Sequence, residues 1–209
     1  MPDNDGVIKM YLRESIEAYK RNDPAARSGW EIFFLYHGFR ATVYYRIAHW
    51  FYLRNHKFIA RWLSQRAKRK TGIEIHPAAK IGRRLVIDHG EGIVIGETVE
   101  IGDDCLLYQG VTLGGTGIAH GKRHPTLGNN VMVGSGAKVL GPFTVGDNAR
   151  IAANAVVLRE VPPNSTVVGV PGHVVRINGE KLDQVHTPDP IEQEIAALNE
   201  RLEILESLL

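Results

Sequence analysis

A period of six residues governs the second half of this 209-residue chain. Aliphatic side chains fall at Ile75, Ile81, Ile87 and Ile93 and, after a slip of two residues, at Ile95, Ile101, Leu107 and Leu113. They resume at Leu127, Val133, Val139, Val145, Ile151 and Val157. Four positions after most of these stands another small or apolar residue, among them Val99, Cys105, Val111, Val131, Ala137, Ala149 and Ala155. An α-helix, at about 3.6 residues per turn, scatters such positions around its circumference. Short strands separated by sharp turns keep them in line. Three hexads then close one triangular coil, and each coil buries its apolar face only against its neighbours. The period predicts a β-solenoid.

The remainder of the chain has a different character. Residues 7 to 70 read as helices dense in Phe, Tyr and Trp, and that density predicts a packed helical core rather than a base-stacking surface. Residues 1 to 72 carry 14 Lys+Arg against 6 Asp+Glu, whereas the rest carries 11 against 17, so the two parts differ in task. The basic run "RAKRK" suits a helix C-terminus. The formal net charge of +2 gives no argument for nucleic acid or a membrane surface. Prolines in "VPPNSTVVGVPGHVV" end the solenoid, since they cannot extend a ladder. Beyond them Ile191, Ile195, Leu198, Leu202, Leu205 and Leu209 form a short coiled-coil seam behind an Asp189-Pro190 start. The fold class is therefore α+β: a helical N-terminal domain over 1–70, a solenoid over 71–176 with a protruding loop at 114–126, and a tail over 177–209 ending in an amphipathic helix. A single cysteine, Cys105, excludes an internal disulfide and fits a reducing, cytoplasmic setting; no apolar run spans a bilayer. Cys105 falls on an inward position, which predicts a core residue rather than a nucleophile.

The two breaks in the period carry the chemistry. Leu113 to Leu127 is fourteen residues, not a multiple of six, so part of "GGTGIAHGKRHP" must leave the coil as a loop shaped by its glycines. That loop holds Lys122, Arg123 and His124. The earlier slip, in "IDHGEGIVIGE", holds Asp88, His89 and Glu97. A solenoid built for stability alone needs titratable groups at neither place.

"DPAAR" at 23–27, "GIEIHPAAKIG" at 72–82, "IDHGEGIVIGE" at 87–97, "GVTLGGTG" at 110–117, "GKRHP" at 121–125 and "GVPG" at 169–172 together resemble the serine O-acetyltransferases. The resemblance implies a left-handed parallel β-helix and transfer of acetyl from acetyl-CoA to the hydroxyl of L-serine. It makes His89 the general base, suited by an imidazole pKa near neutrality, with Glu74 orienting the ring where many relatives have aspartate. Asp23 and Asp88 take the serine ammonium, Arg123 holds its carboxylate, and His124 contacts substrate beside Arg123. Gly115, Thr116, Ser135, Gly136 and Ala153 line the approach of acetyl-CoA, in a groove between two subunits. Backbone N–H groups of the glycine-rich stretch offer an oxyanion site. The relatives imply a homotrimer rather than a dimer of trimers. The leucine-rich ending "EILESLL" differs from the isoleucine tails that insert into O-acetylserine sulfhydrylase, which argues against that complex.

Other readings compete with this one. On its own, Asp23 before Pro24 suits a helix N-cap. His120 and His124, with His89 at a distance, invite a zinc site, but a glycine-rich loop fixes no ligand spacing and Arg123 adds repulsive charge, so no metal is expected. A hexapeptide acetyltransferase acting on a sugar would share His89 and the coenzyme groove without needing Asp23, Asp88 and Arg123. A non-catalytic scaffold would need none of these groups.

Overall fold

The computed structural model describes residues 4–117 and 121–182 together with Leu198. Four helices lead the chain: α1 (Asn4–Asn22), α2 (Gly29–Leu35), α3 (His37–Leu53) and α4 (Lys57–Thr71). Ser28 caps α2 by accepting the Glu31 N–H, and Gly72, in a left-handed conformation, ends α4 just after its basic last turn. No helix among the described residues is long and apolar enough to cross a membrane.

Sixteen short strands follow among the described residues, arranged as three sheets of a five-coil solenoid. The first sheet stacks Glu74–Ile75, Val94–Ile95, Thr112–Gly114, Lys138–Leu140 and Val156–Val157 in parallel. The second begins at Lys80–Ile81 and the third at Val86–Asp88, one on each remaining face of the triangle. All fourteen aliphatics of the hexad pattern are buried. Ile75 pairs with Ile95 and Ile87 with Leu107, a coil of twenty residues, two more than three hexads. The slip therefore lies before Ile93: Ile93 shares the corner position of Val99, Cys105 and Val111, and Ile95 is the strand residue. Ile101 pairs with Leu127 twenty-six residues on, so eight residues are extruded after Gly114. Coils in the regular stretch repeat every eighteen, as Leu127 to Val145.

Sharp corners need residues that tolerate positive φ, and short polar side chains do so best. Arg84, Asp104, Asn130, Asn148 and Asn164 occupy one such column, all at φ between 54° and 59°. Their side chains bond up the stack, Arg84 to Asp104 at 2.6 Å and Asn130 to Asn148 to Asn164 at 2.9 Å each.

Two sequence expectations need correction. The prolines at 162 and 163 do not stop the ladder: Ser165–Val168 still pairs in parallel with Arg150–Ile151, and only then do antiparallel strands His173–Ile177 and Glu180–Lys181 close the end. The chain regains its coil by shortening it, Ile151 meeting Val167 after sixteen residues. The helical aromatics also divide. Tyr19, Phe39 and Tyr45 are buried, but Trp30, Phe34, Phe58 and Trp62 are at least half exposed. The helices bury one face on the first coil and leave the other bare. The predicted C-terminal seam lies outside the described residues, apart from the exposed Leu198.

Candidate active site

Of the titratable groups singled out above, Asp88, His89, Glu97, Lys122, Arg123 and His124 sit at the edges of the first sheet. The edge where chains enter this sheet carries His89, in the two-residue insertion before Val94. His89 has φ 59°, an unusual conformation for an imidazole-bearing residue outside glycine-like turns, and its side chain is 73% exposed. Its charged neighbour within the chain is Asp88, with Nε2 to Oδ1 at 3.9 Å.

The helices hold this edge in place. The Tyr19 hydroxyl accepts the Ile87 N–H at 3.1 Å and donates to the Ile87 carbonyl at 3.3 Å, pinning α1 to the strand that ends in Asp88. Gly38 lets α3 pass directly against that same carbonyl, where no Cβ fits. Asp23 follows the end of α1 and is not an N-cap; Ser28 is. Its Oδ1 accepts the Ala25 N–H at 2.8 Å and its Oδ2 accepts the Tyr36 hydroxyl at 2.5 Å. That bond, with lesser help from burial and the negative charges of Asp23 and Asp88, pushes the Tyr36 phenol up to about 12. Asp23 and Asp88 thus share one neighbourhood, with Tyr36 kept as a donor. Sequence reasoning missed Tyr36 and Tyr19, whose partners are distant in the chain.

The opposite edge, where chains leave the first sheet, carries the extruded loop. Arg123 donates from Nη2 to Glu97 Oε2 at 2.5 Å, and this bond holds the Glu97 carboxyl below the usual carboxylate range. Lys122 Nζ donates to the Thr98 carbonyl at 2.8 Å. His124 is only 8% exposed, its ring against Gly96, where a Cβ would occupy the same space. Burial, and secondarily the Arg123 charge, lower its pKa. His120 lies outside the described residues.

Glu74 stands on the outer face of the first sheet's first strand and turns to α4. Its carboxylate accepts from Lys68 Nζ at 2.6 Å and Arg61 Nη2 at 3.3 Å, which lowers its pKa. Among the described contacts it makes no bond to His89. The residues expected at acetyl-CoA divide in the same way as the rest. Ser135, Gly136 and Ala153 lie in the corners leading into the Lys138 and Val156 strands, on the His89 edge. Gly115 and Thr116 begin the loop on the Arg123 edge, where a Cβ at Gly115 would meet the Arg123 carbonyl at 2.9 Å. Cys105 is buried, and desolvation pushes its thiol up to about 11.

Within one chain the two edges do not meet. From Gly92 to Gly96 the strand covers roughly 13 Å at about 3.3 Å per residue, too far for one small substrate to bridge. The bonds of each cluster stay within it.

A model of the bacterial transferase hexapeptide family (six repeats) matches residues 124–159. The serine acetyltransferase of Synechococcus elongatus is 53% identical over 190 residues, which cover 90% of this chain and 78% of that protein. The chain belongs to the serine acetyltransferase family. Its solenoid is accordingly the left-handed β-helix of these acyltransferases. The Neisseria gonorrhoeae serine acetyltransferase solved with serine superposes at a TM-score of 0.79 and 40% identity, covering 82% of this chain and 69% of that one. The Brucella abortus enzyme of the family, solved with coenzyme A, superposes at 0.80 and 41% identity, covering 82% and 68%.

Proposed function

We propose that this chain transfers acetyl from acetyl-CoA to the L-serine hydroxyl, at sites that form only where the His89 edge of one copy meets the Arg123 edge of the next. Family membership supports the reaction, and the two separated half-sites support the assembly. A closed homotrimer satisfies it with three equal sites, because each copy offers one edge of each kind. Acetyl-CoA then lies in the groove between copies, against Ser135, Gly136 and Ala153 of one and Gly115 and Thr116 of the other. A cytoplasmic location fits a chain whose single cysteine is a free thiol.

In this proposal Asp23 and Asp88 receive the serine ammonium and Arg123 its carboxylate. His89 Nε2 takes the hydroxyl proton as the serine oxygen attacks the thioester carbonyl carbon. Backbone N–H groups of the loop's glycine-rich start stabilise the oxyanion. The C–S bond then breaks, and the imidazolium returns its proton to the departing thiolate. No acyl-enzyme is required, in keeping with a buried, weakly acidic Cys105. Glu74, a carboxylate kept ionised by Lys68 and Arg61, is the group the resemblance assigns to orienting the His89 ring, and Asp88 lies beside that ring.

The discriminating measurement is CoA release with L-serine and with amino sugars as acceptors. Serine should support turnover and amino sugars should not; the reverse would transfer the chain to the sugar acetyltransferases.

A further inference from the structure

Thr98 is the hub of the Arg123 edge. Its hydroxyl accepts the Arg123 N–H at 3.1 Å and the His124 N–H at 3.2 Å, and lies 2.8 Å from His124 Nδ1. A hydroxyl has two acceptor lone pairs and one proton. With both lone pairs taken by backbone donors, the proton goes to Nδ1. The Thr98 backbone N–H also points to Nδ1, at 3.3 Å, and an amide N–H can only donate. His124 is therefore held as the tautomer with its proton on Nε2. The Thr98 carbonyl, meanwhile, takes the Lys122 ammonium. Lys122, Arg123 and His124 are each bonded to this one threonine of the preceding coil, although Gly117 and Gly121 nearby leave the loop backbone free to take left-handed conformations.

We propose that Thr98 is a positioning residue for substrate binding: it fixes the place of Arg123 and holds His124 neutral as an Nε2–H donor toward the substrate. This rests on the serine-binding role given to Arg123 above. Protonating His124 requires Nδ1 to give up two donors, and burial opposes the charge as well, so both favour the neutral ring. Valine matches threonine in shape but lacks the hydroxyl. Thr98→Val leaves two backbone N–H groups without an acceptor and frees one side of Nδ1.

The test combines kinetics with a readout that does not depend on serine. Thr98→Val should raise the KM for serine about tenfold or more, as expected for lost hydrogen bonds to a charged site, with kcat and the KM for acetyl-CoA changed much less. Thr98→Ser should restore near-wild-type values. In ¹⁵N NMR of the full-length protein, His124 Nδ1 should stay unprotonated down to lower pH in the wild type than in Thr98→Val. Should Thr98→Val not fold, Thr98→Ala carries the same comparison. Unchanged serine KM together with an unchanged His124 titration would overturn the role of Thr98. An enzyme that ignores serine altogether would instead defeat the functional proposal, while the His124 titration still judged Thr98.

Discussion

The two edges of the first sheet are built in opposite ways. The His89 edge gains only two residues over the repeat, and its imidazole stands exposed on a left-handed turn. It is stiffened from behind by helices, through Tyr19 on Ile87 and Tyr36 on Asp23. The Arg123 edge gains eight residues, yet His124 is buried and Arg123 paired, held by bonds to Glu97 and Thr98 of the coil before. One half-site is open and supported at a distance; the other is closed and supported by its own scaffold. The contrast teaches that neither half is finished alone. In the proposed mechanism the exposed His89 needs a binding group, and the locked Arg123 needs a base.

The comparison predicts unequal responses to damage. Replacing His89 with alanine should cost the most, lowering kcat about 100-fold or more with folding unaffected, because a general base contributes on that scale. Turnover near wild type would remove His89 from the chemistry. Arg123→Ala should act on binding instead, raising the KM for serine roughly 10-fold or more through loss of a charge-assisted bond. If acetyl-CoA affinity collapsed and serine kinetics held, Arg123 would belong to the other substrate. Tyr36→Phe strips one bond from Asp23 and should raise the serine KM by about 5-fold, with thermal stability little changed.

Acid should loosen the closed edge before the open one. Burial holds the pKa values of His124 and His76 below their unfolded value of about 6.5. Below that value the unfolded chain binds protons that the folded chain refuses, so stability falls as pH drops through it. Glu97, with a depressed pKa, loses its contribution only at still lower pH. Amide exchange at Arg123 and His124 should therefore quicken between pH 7 and 5 relative to the regular coils beyond Leu127. Equal protection throughout would remove the distinction.

The sequence carried the solenoid openly, because stacked residues such as Leu107 and Val133 must be aliphatic in every coil. It marked the polar residues of the proposed site as well, since Asp88-His89 and Arg123-His124 stand where the period fails. Ile93 misled by one step: a two-residue insertion sets Ile93 and Ile95 two apart, and both are apolar, so the period alone cannot say which is the strand residue. Thr98 and Tyr36 were invisible for a different reason. Their work is done on partners 13 to 26 residues away, and nothing about a threonine or tyrosine in sequence marks it as a clamp. The resemblance pairs Glu74 with His89, whereas its bonds to Lys68 and Arg61 come from a helix whose place beside it no local pattern announces. The exposed tryptophans show that aromatic density reports helices without reporting which face they bury.

The shared site is tested most directly by mixing two impaired variants. His89→Ala and Arg123→Ala are each expected to be nearly inactive at low serine, and co-refolding them at equal amounts lets copies assemble at random. If each site draws His89 from one copy and Arg123 from the next, about a quarter of the sites should be wild type, and serine acetylation should return to that fraction. A mixture no more active than its components would contradict the account and place both residues in a site within a single chain.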